Sequence, residues 1–394
     1  MKENSPAAVQ AETPSASTQE SIPAKTKNLG RRSFLKGAGM TSIALSASAL
    51  LLNAAQAEGK DDNGKKDQND NDNKGQDKAS NLTAGDVAIL RFLAAAELLE
   101  ADLWQQYAEL GGVTSGRQNQ YQKALQRLDG DGSQYITSNT LDELSHAEFL
   151  NAYLLSKGAQ PVDLDVFRTL PSSQASGAQQ TGRLTNLMNL TVDTSWYTRY
   201  RSTDNPDLGA TFPQAIDLVN VPAIPRNDDD FGPKDHVQAI ANTAAFHFGM
   251  IEQGGSTLYS AMVQKASNLE VLRIVVSIGG DEVAHFLEWV DFAGNGVQTP
   301  IAPFTDPTNG LTFPDFNATG NPELQTNLIF PVPCEFISAK LPHCAVIRPT
   351  SPKGIAMGVV NFLTGTGLFT GQSPAFFKAL ATLARQADAA QRGF

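Results

Sequence analysis

Apolar residues recur every three or four positions along four long segments of the chain, which is the period of an amphipathic α-helix. The first segment opens with Thr83 and Asp86 at the spacing of a capping box, and Asn268 stands where it would cap the fourth. Pro233 is a favourable first residue for the third. The predicted long helices are 84–110, 133–156, 233–266 and 269–292, with a shorter helix at 118–128.

The connections between these helices predict their arrangement. Short loops join the first long helix to the second and the third to the fourth, whereas residues 159–233 separate the second from the third. Two antiparallel hairpins linked by one long crossover form an all-α four-helix bundle, which we assign to residues 81–294. Residues 295–394 are rich in proline and predict a C-terminal extension packed on the bundle, with loops, a few short strands and a helix at 374–391.

The first eighty residues predict an export signal and a linker. A basic run that contains Arg31 and Arg32 precedes a weakly apolar stretch and the small-residue site Ala55-Gln56-Ala57. This order is typical of a signal peptide over residues 1–57, with cleavage after Ala57, and it does not predict a stable membrane anchor. The paired arginines resemble a twin-arginine signal, which implies export of the folded protein by the twin-arginine translocation machinery to a periplasmic or extracellular location. Residues 58–80 are almost entirely polar and predict a disordered linker.

Charge and composition narrow the class of protein further. The chain has 41% apolar and 18% charged residues, as globular proteins do, and a formal net charge of -11. Because basic residues are concentrated in the export segment, the folded body is strongly acidic and repels phosphate backbones. We therefore do not expect nucleic acid as a partner.

Two copies of one motif carry the candidate chemistry. The second predicted long helix contains Asp142-Glu143-Leu144-Ser145-His146, and the fourth contains Asp281-Glu282-Val283-Ala284-His285. A spacing of three residues places a carboxylate and an imidazole on neighbouring turns of one helix face, where both can bind the same ion. The other three of the five histidines lack this glutamate.

The other two long helices share a second pattern. Glu97 is followed by Trp104 after seven residues, and Glu252 is followed by Tyr259 at the same distance, which indicates an internal duplication of a two-helix unit. Glu100 lies one turn from Glu97 and is the alternative ligand there. Together the four helices offer Glu, Glu-x-x-His, Glu and Glu-x-x-His, the ligand set of ferritin-like proteins with two iron or manganese ions.

With these motifs the chain resembles the ferritin-like superfamily, and more narrowly the exported ferritin-like proteins grouped with the desiccation-related proteins. The resemblance covers residues 84–110, 133–158 and 234–293. It implies two divalent ions, iron or manganese, with two bridging carboxylates, two terminal carboxylates and one imidazole for each ion. In that order the implied ligands are Glu143 and Glu282, Glu97 and Glu252, and His146 and His285.

Such a centre exchanges two electrons at once, so the expected partner is a small-molecule oxidant, dioxygen or peroxide. The motif does not separate an oxidase from a ferroxidase or a catalase-like enzyme. The alternative is a non-enzymatic protein that protects against stress or desiccation and uses the metal only for stability. The sequence leaves the oligomeric state open.

Four further features have two interpretations each. Cys334 and Cys344 predict one disulfide in an oxidising compartment, with two free thiols as the alternative. His247 lies in an apolar run, and we expect it to be a core histidine; the alternative is a further metal ligand. The crossover contains an aromatic and basic cluster of Trp196, Tyr197, Arg199, Tyr200 and Arg201. We expect this cluster to dock on the bundle; the alternative is that it lines the mouth of a pocket. Asp142, Glu148, Asp281 and Glu288 are expected to support ligands or face solvent.

Overall fold

The computed structural model describes residues 82–393 except 114–118, 201–211, 321–323, 325–330, 335–336 and 347–350. The predicted signal peptide with Arg31, Arg32 and Ala57, and the predicted linker, lie outside these residues and remain predictions. The helices are α1 Ala84–Gly111, α2 Asn119–Leu128, α3 Gly132–Ser156, α4 Ser195–Arg199, α5 His236–Met262, α6 Leu269–Asn295, α7 Ile355–Gly365 and α8 Pro374–Ala389. Among the helices that the structure describes, none combines the length and apolar character needed to cross a bilayer.

Two of the four long helices, α1 and α6, begin at a residue whose side chain caps them. At α1, the Thr83 side chain accepts a hydrogen bond from the Asp86 amide while the Asp86 carboxylate accepts one from the Thr83 amide, so the predicted capping box forms. Asn268 caps α6 through the amides of the following turn. The prediction for α5 starts three residues early, because Asp235 takes a left-handed conformation with φ of 70° and interrupts the helix between Pro233 and His236.

The bundle pairs α1 with α3 and α5 with α6, as the short connections predict. Aromatic side chains fill one end of its interior. The rings of Trp104 and Trp289 stack with centroids 5.2 Å apart, and Phe248 packs against both at 4.8 and 4.6 Å. One side chain from each of three long helices therefore meets in this layer.

The crossover docks on the bundle through α4 and a short antiparallel hairpin of β1 Leu190–Val192 and β2 Leu218–Val221. Trp196 is fully buried, and its indole N–H donates to the carbonyl of Phe246 at 3.2 Å. Gly249 of α5 makes room for this ring, because a Cβ at that position would overlap it. The buried aromatic cluster thus packs on the bundle as expected, while Arg201 lies outside the described residues.

The C-terminal region contains one helix that the sequence did not predict. Two small antiparallel ladders join β3 Phe304–Thr305 to β4 Thr312–Phe313 and β5 Pro331–Val332 to β6 Cys344–Ala345. The unpredicted α7 follows Gly354, and Asp388 at the end of α8 accepts hydrogen bonds from its first amides, those of Ala356 and Met357. Since α8 packs on α1 and α7 packs on α8 and α5, the extension covers one side of the bundle.

Both cysteines are free thiols, so the structure does not form the predicted disulfide. The ladder pairs Cys344 with Val332, two residues before Cys334. Cys334 lies beyond the end of this ladder, because β5 stops at Val332. Burial also differs, because Cys334 is buried and Cys344 is exposed.

Candidate metal centre

The candidate centre lies inside the bundle, between α1, α3, α5 and α6. The four long helices each direct carboxylates to this point, and the Glu-x-x-His spacing adds one imidazole from α3 and one from α6. All four carboxylates are completely buried, and the two imidazoles are 8% and 5% exposed. The structure thus brings together all six residues selected from the sequence, which are Glu97, Glu143, His146, Glu252, Glu282 and His285.

One group of donor atoms surrounds His146. Its Nδ1 lies 3.2 Å from Glu143 Oε2, 3.4 Å from Glu97 Oε2 and 3.9 Å from Glu282 Oε1. One ligand atom from each of these four residues lies within 4.8 Å of the others. This separation suits a single cation that binds one imidazole and three carboxylates.

A second group surrounds His285. Its Nδ1 lies 3.1 Å from Glu143 Oε1 and 3.3 Å from Glu252 Oε2. Glu143 therefore turns one oxygen to each group, which is the position of a bridging carboxylate. Glu282 belongs only to the first group, so the two halves are less symmetric than the duplicated motif implies.

Several carboxylate oxygens of this cluster lack a hydrogen-bond donor. Glu97 Oε2, Glu252 Oε2 and both oxygens of Glu282 form no hydrogen bond within the part of the chain that the structure describes. A buried carboxylate without a partner is costly, and several close together repel one another. Orphaned oxygens that face one another beside imidazole nitrogens are the donor set that divalent cations satisfy, so these residues fit metal ions.

Protons take up part of this charge in the absence of metal. Burial raises the pKa of Glu143 to about 8 and that of Glu282 well above its usual range. Burial by itself lowers the pKa of His146, but the neighbouring carboxylates of Glu143 and Glu97 raise the value to about 10. The pKa of His285 is raised too, since its carboxylate neighbours outweigh burial. A cation that enters the site must therefore displace protons.

Two residues hold the ligands through contacts that the sequence did not predict. The Asn139 amide donates to Glu143 Oε1 at 2.9 Å and to Glu252 Oε1 at 3.2 Å, and it accepts from the Trp289 indole at 2.7 Å. Tyr259 donates from its hydroxyl to Glu97 Oε1. The signal for Asn139 was its place four residues before Glu143, on the same helix face.

The outer edges of the imidazoles face two aspartates near the surface. His146 Nε2 lies 3.2 Å from Asp281, and His285 Nε2 lies 3.4 Å from Asp142. The two aspartate side chains are 45% and 47% exposed, so they both support the rings and face solvent. Such outer carboxylates orient metal-binding imidazoles.

The remaining candidates lie at the edge of the centre or away from it. Glu100 is close enough that burial, Glu143 and Glu97 raise its pKa, yet it joins neither group of donor atoms. Glu97 is therefore the better ligand. Glu148 is exposed, whereas Glu288 is half-buried and burial raises its pKa to about 7.

His247 is a core histidine. Its Nδ1 lies 2.7 Å from the hydroxyl of Tyr107, the ring is completely buried, and burial lowers its pKa to about 3. It belongs to none of the metal-binding groups found among the described residues. The preferred interpretation of its sequence context agrees with this placement.

Comparison with known proteins supplies independent information on this region. A family model described as a ferritin-like domain matches residues 85–287. This range spans more than half of the chain and contains all six candidate ligands. The comparisons with curated proteins and with solved structures gave no match.

Proposed function

The chain belongs to the ferritin-like domain family, and from this premise we propose that it holds a dinuclear centre of divalent iron or manganese that reacts with dioxygen or peroxide. The observation that carries the proposal is the position of Glu143, whose two oxygens face two separate groups of buried donor atoms. A side chain shared in this way suits two cations side by side better than one.

Charge supports the same stoichiometry. Four ionised carboxylates balance two divalent ions, whereas one ion would leave two buried negative charges without compensation. The imidazoles then need to be neutral, because their Nδ1 atoms face the donor groups and metal-bound histidine is unprotonated.

Each residue has a definite task in this proposal. Glu143 would bridge the two ions, Glu97 and Glu282 would complete the His146 side, and Glu252 would complete the His285 side. Asn139 and Tyr259 hold the carboxylates in place through their hydrogen bonds. A pair of iron or manganese ions would supply two-electron exchange with dioxygen or peroxide. The buried walls exclude bulk water, and small reactants would approach past the half-exposed side chains of Asp142 and Asp281.

Metal content and oxidant consumption test the proposal together. Protein loaded with iron or manganese should contain about two ions per chain by elemental analysis and should consume dioxygen or peroxide. Replacing Glu143 and Glu282 by alanine should abolish both properties, while alanine at the exposed Glu148 should change neither. Absence of bound metal in the unmodified protein would refute the centre itself.

A structural role for the metal is the second candidate. The orphaned oxygens of Glu97, Glu252 and Glu282 mean that cations stabilise the bundle whether or not turnover occurs. This favours the non-enzymatic protective function suggested by the desiccation-related resemblance. Two bound ions that raise the melting temperature without any oxidant consumption would support it over the enzyme.

The proposal extends to location. The paired residues Arg31 and Arg32 and the site after Ala57 support export through the twin-arginine machinery to the periplasm or beyond. Determination of the N-terminus of the mature protein tests the cleavage site. Replacement of both arginines by lysine should retain the uncleaved chain in the cytoplasm.

A further inference from the structure

An apolar cavity of about 40 Å³ lies beside the candidate metal centre, between α1, α5 and the C-terminal helices. That volume exceeds what one water molecule needs, at roughly 10–15 Å³, so the cavity has room for a small molecule. Among the described residues that line it, Glu100 is the one ionisable side chain. Representative apolar members of the wall are Leu99, Leu103, Ile251, Leu258, Leu363 and Phe369.

Two residues belong to both the cavity and the metal centre. Glu100 lines the cavity, and it is near enough to Glu97 and Glu143 for their charges to raise its pKa. Gly255 also lines the cavity, and it is so close to Glu282 that an added Cβ would overlap that carboxylate. At these points Glu100 and the backbone of Gly255 separate the cavity from the ligand carboxylates.

The C-terminal extension forms much of the opposite wall. Helix α7 contributes Val359, Val360 and Leu363, and residues from the following turn and α8 complete the cover. Asp388 fixes the start of α7 by accepting hydrogen bonds from two of its amides. The extension thus covers this side of the bundle next to the metal centre.

The apolar lining of the cavity determines which kind of small molecule it can bind. A polar molecule such as peroxide would lose its hydration here and find one carboxylate and no array of hydrogen-bond donors. An aliphatic molecule loses nothing on entering and gains contact with the leucine, valine and phenylalanine side chains.

We propose that this cavity binds a small uncharged aliphatic molecule directly beside the metal centre, with Glu100 at the boundary and the C-terminal helices as the cover. The inference rests on the proposed function, because it assigns an organic ligand to the same dinuclear centre. It also gives the C-terminal extension a role in ligand binding.

Gly254 provides a variant that fills the cavity. A Cβ added there meets no atom within 4 Å, so Gly254→Leu should extend into the cavity without touching a candidate metal ligand. The matched control is Gly280→Leu on α6, where an added Cβ is equally unobstructed and the position is exposed. Gly254→Ala fills less space and serves if the larger variant fails to fold.

The probes are xenon and propane. Crystals under xenon pressure should show xenon between Leu99, Ile251 and Leu363 in the unmodified protein and in Gly280→Leu, and no xenon in Gly254→Leu. Saturation of manganese-loaded protein with propane should alter the Mn²⁺ electron paramagnetic resonance spectrum in the first two proteins only. Gly254→Ala should show an intermediate occupancy.

The outcomes separate this inference from the proposed function. Absence of xenon from the unmodified protein, or xenon occupancy with a manganese spectrum that propane leaves unchanged, overturns the inference alone. A chain that retains no metal by elemental analysis overturns the dinuclear centre, and the ligand site beside it falls for that separate reason. Full support requires xenon, the propane response and the loss of both in Gly254→Leu.

Discussion

His146 and His285 lie across the centre from each other, with ring centroids 6.4 Å apart. Each ring turns Nδ1 inward to Glu143 and Nε2 outward to an aspartate of the other motif, so Asp281 supports His146 and Asp142 supports His285. The two motifs therefore depend on each other across the bundle. The spacing within either motif does not predict that each histidine is supported by the aspartate of the other motif.

The exchanged aspartates should strengthen metal binding. Replacing Asp142 and Asp281 together by asparagine removes the outer charges that orient the imidazoles, and we expect metal affinity to fall about 10- to 100-fold. Competition with a chelator measures this change. Glu148→Gln, an exposed carboxylate beside His146, should leave the affinity unaltered, and an equal loss in that variant would contradict the assigned role of the aspartates.

Glu143 should matter more than either terminal carboxylate. Because it belongs to both groups of donor atoms, Glu143→Gln should lose both ions, whereas Glu97→Gln and Glu252→Gln should each weaken mainly one. Elemental analysis after dialysis gives the number of ions retained by each variant. Equal retention in all three variants would show that Glu143 does not bridge.

Metal binding should release protons. At pH 7 the metal-free site holds a proton on His146, whose pKa is about 10, and mostly holds one on Glu143, whose pKa is about 8. Since binding requires a neutral imidazole and an ionised carboxylate, about two or more protons should leave per chain, and affinity should rise with pH up to that range. Calorimetry in two buffers of different ionisation enthalpy counts them, and a buffer-independent heat would refute the expectation.

His247 should make stability decline in acid. Its pKa is lowered to about 3 by burial, while an unfolded histidine has a pKa of about 6.5, so below about pH 6.5 the unfolded chain binds a proton that the folded chain does not. The free energy of unfolding should then fall by about 1.4 kcal/mol for each pH unit between these values.

Denaturant titrations at several pH values give this slope for the unmodified protein and for His247→Asn. The slope of the variant should correspond to one proton fewer taken up on unfolding. The control is His343→Asn, because His343 is exposed. A slope in His247→Asn equal to that of the unmodified protein would contradict the assignment of the titration to His247.

Local patterns predicted the bundle and the membership of its centre. Periodicity and caps located α1, α3 and α6 to within a few residues, because those signals reside in neighbouring positions. The Glu-x-x-His spacing predicted which side chains meet, since it fixes a helix face. Helix α7 was not predicted because no neighbouring side chain caps its N-terminus. Asp388, more than thirty residues later, accepts the hydrogen bonds there instead.

Local sequence patterns did not predict the contacts between elements. The hydroxyl of Tyr259 reaches Glu97 on α1, whereas the pattern linked this tyrosine only to Glu252 on its own helix. Glu282 joins the donor group of His146 and not that of His285, and Gly255 of α5 packs against its carboxylate. The disulfide prediction rested on the short spacing of the two cysteines, whereas the structure leaves both thiols free, with Cys334 buried and Cys344 exposed.

Neither half of the duplicated bundle can assemble a donor group by itself. The His146 group takes Glu282 from α6, and the His285 group takes Glu143 from α3. During synthesis, the ribosome must therefore release the chain beyond residue 285, and the two hairpins must dock, before any ion finds its full set of ligands. The proposed uptake of ions would thus be a late event in the biogenesis of this protein, because a nascent chain that stops short of α6 lacks Glu282 and His285 of the centre.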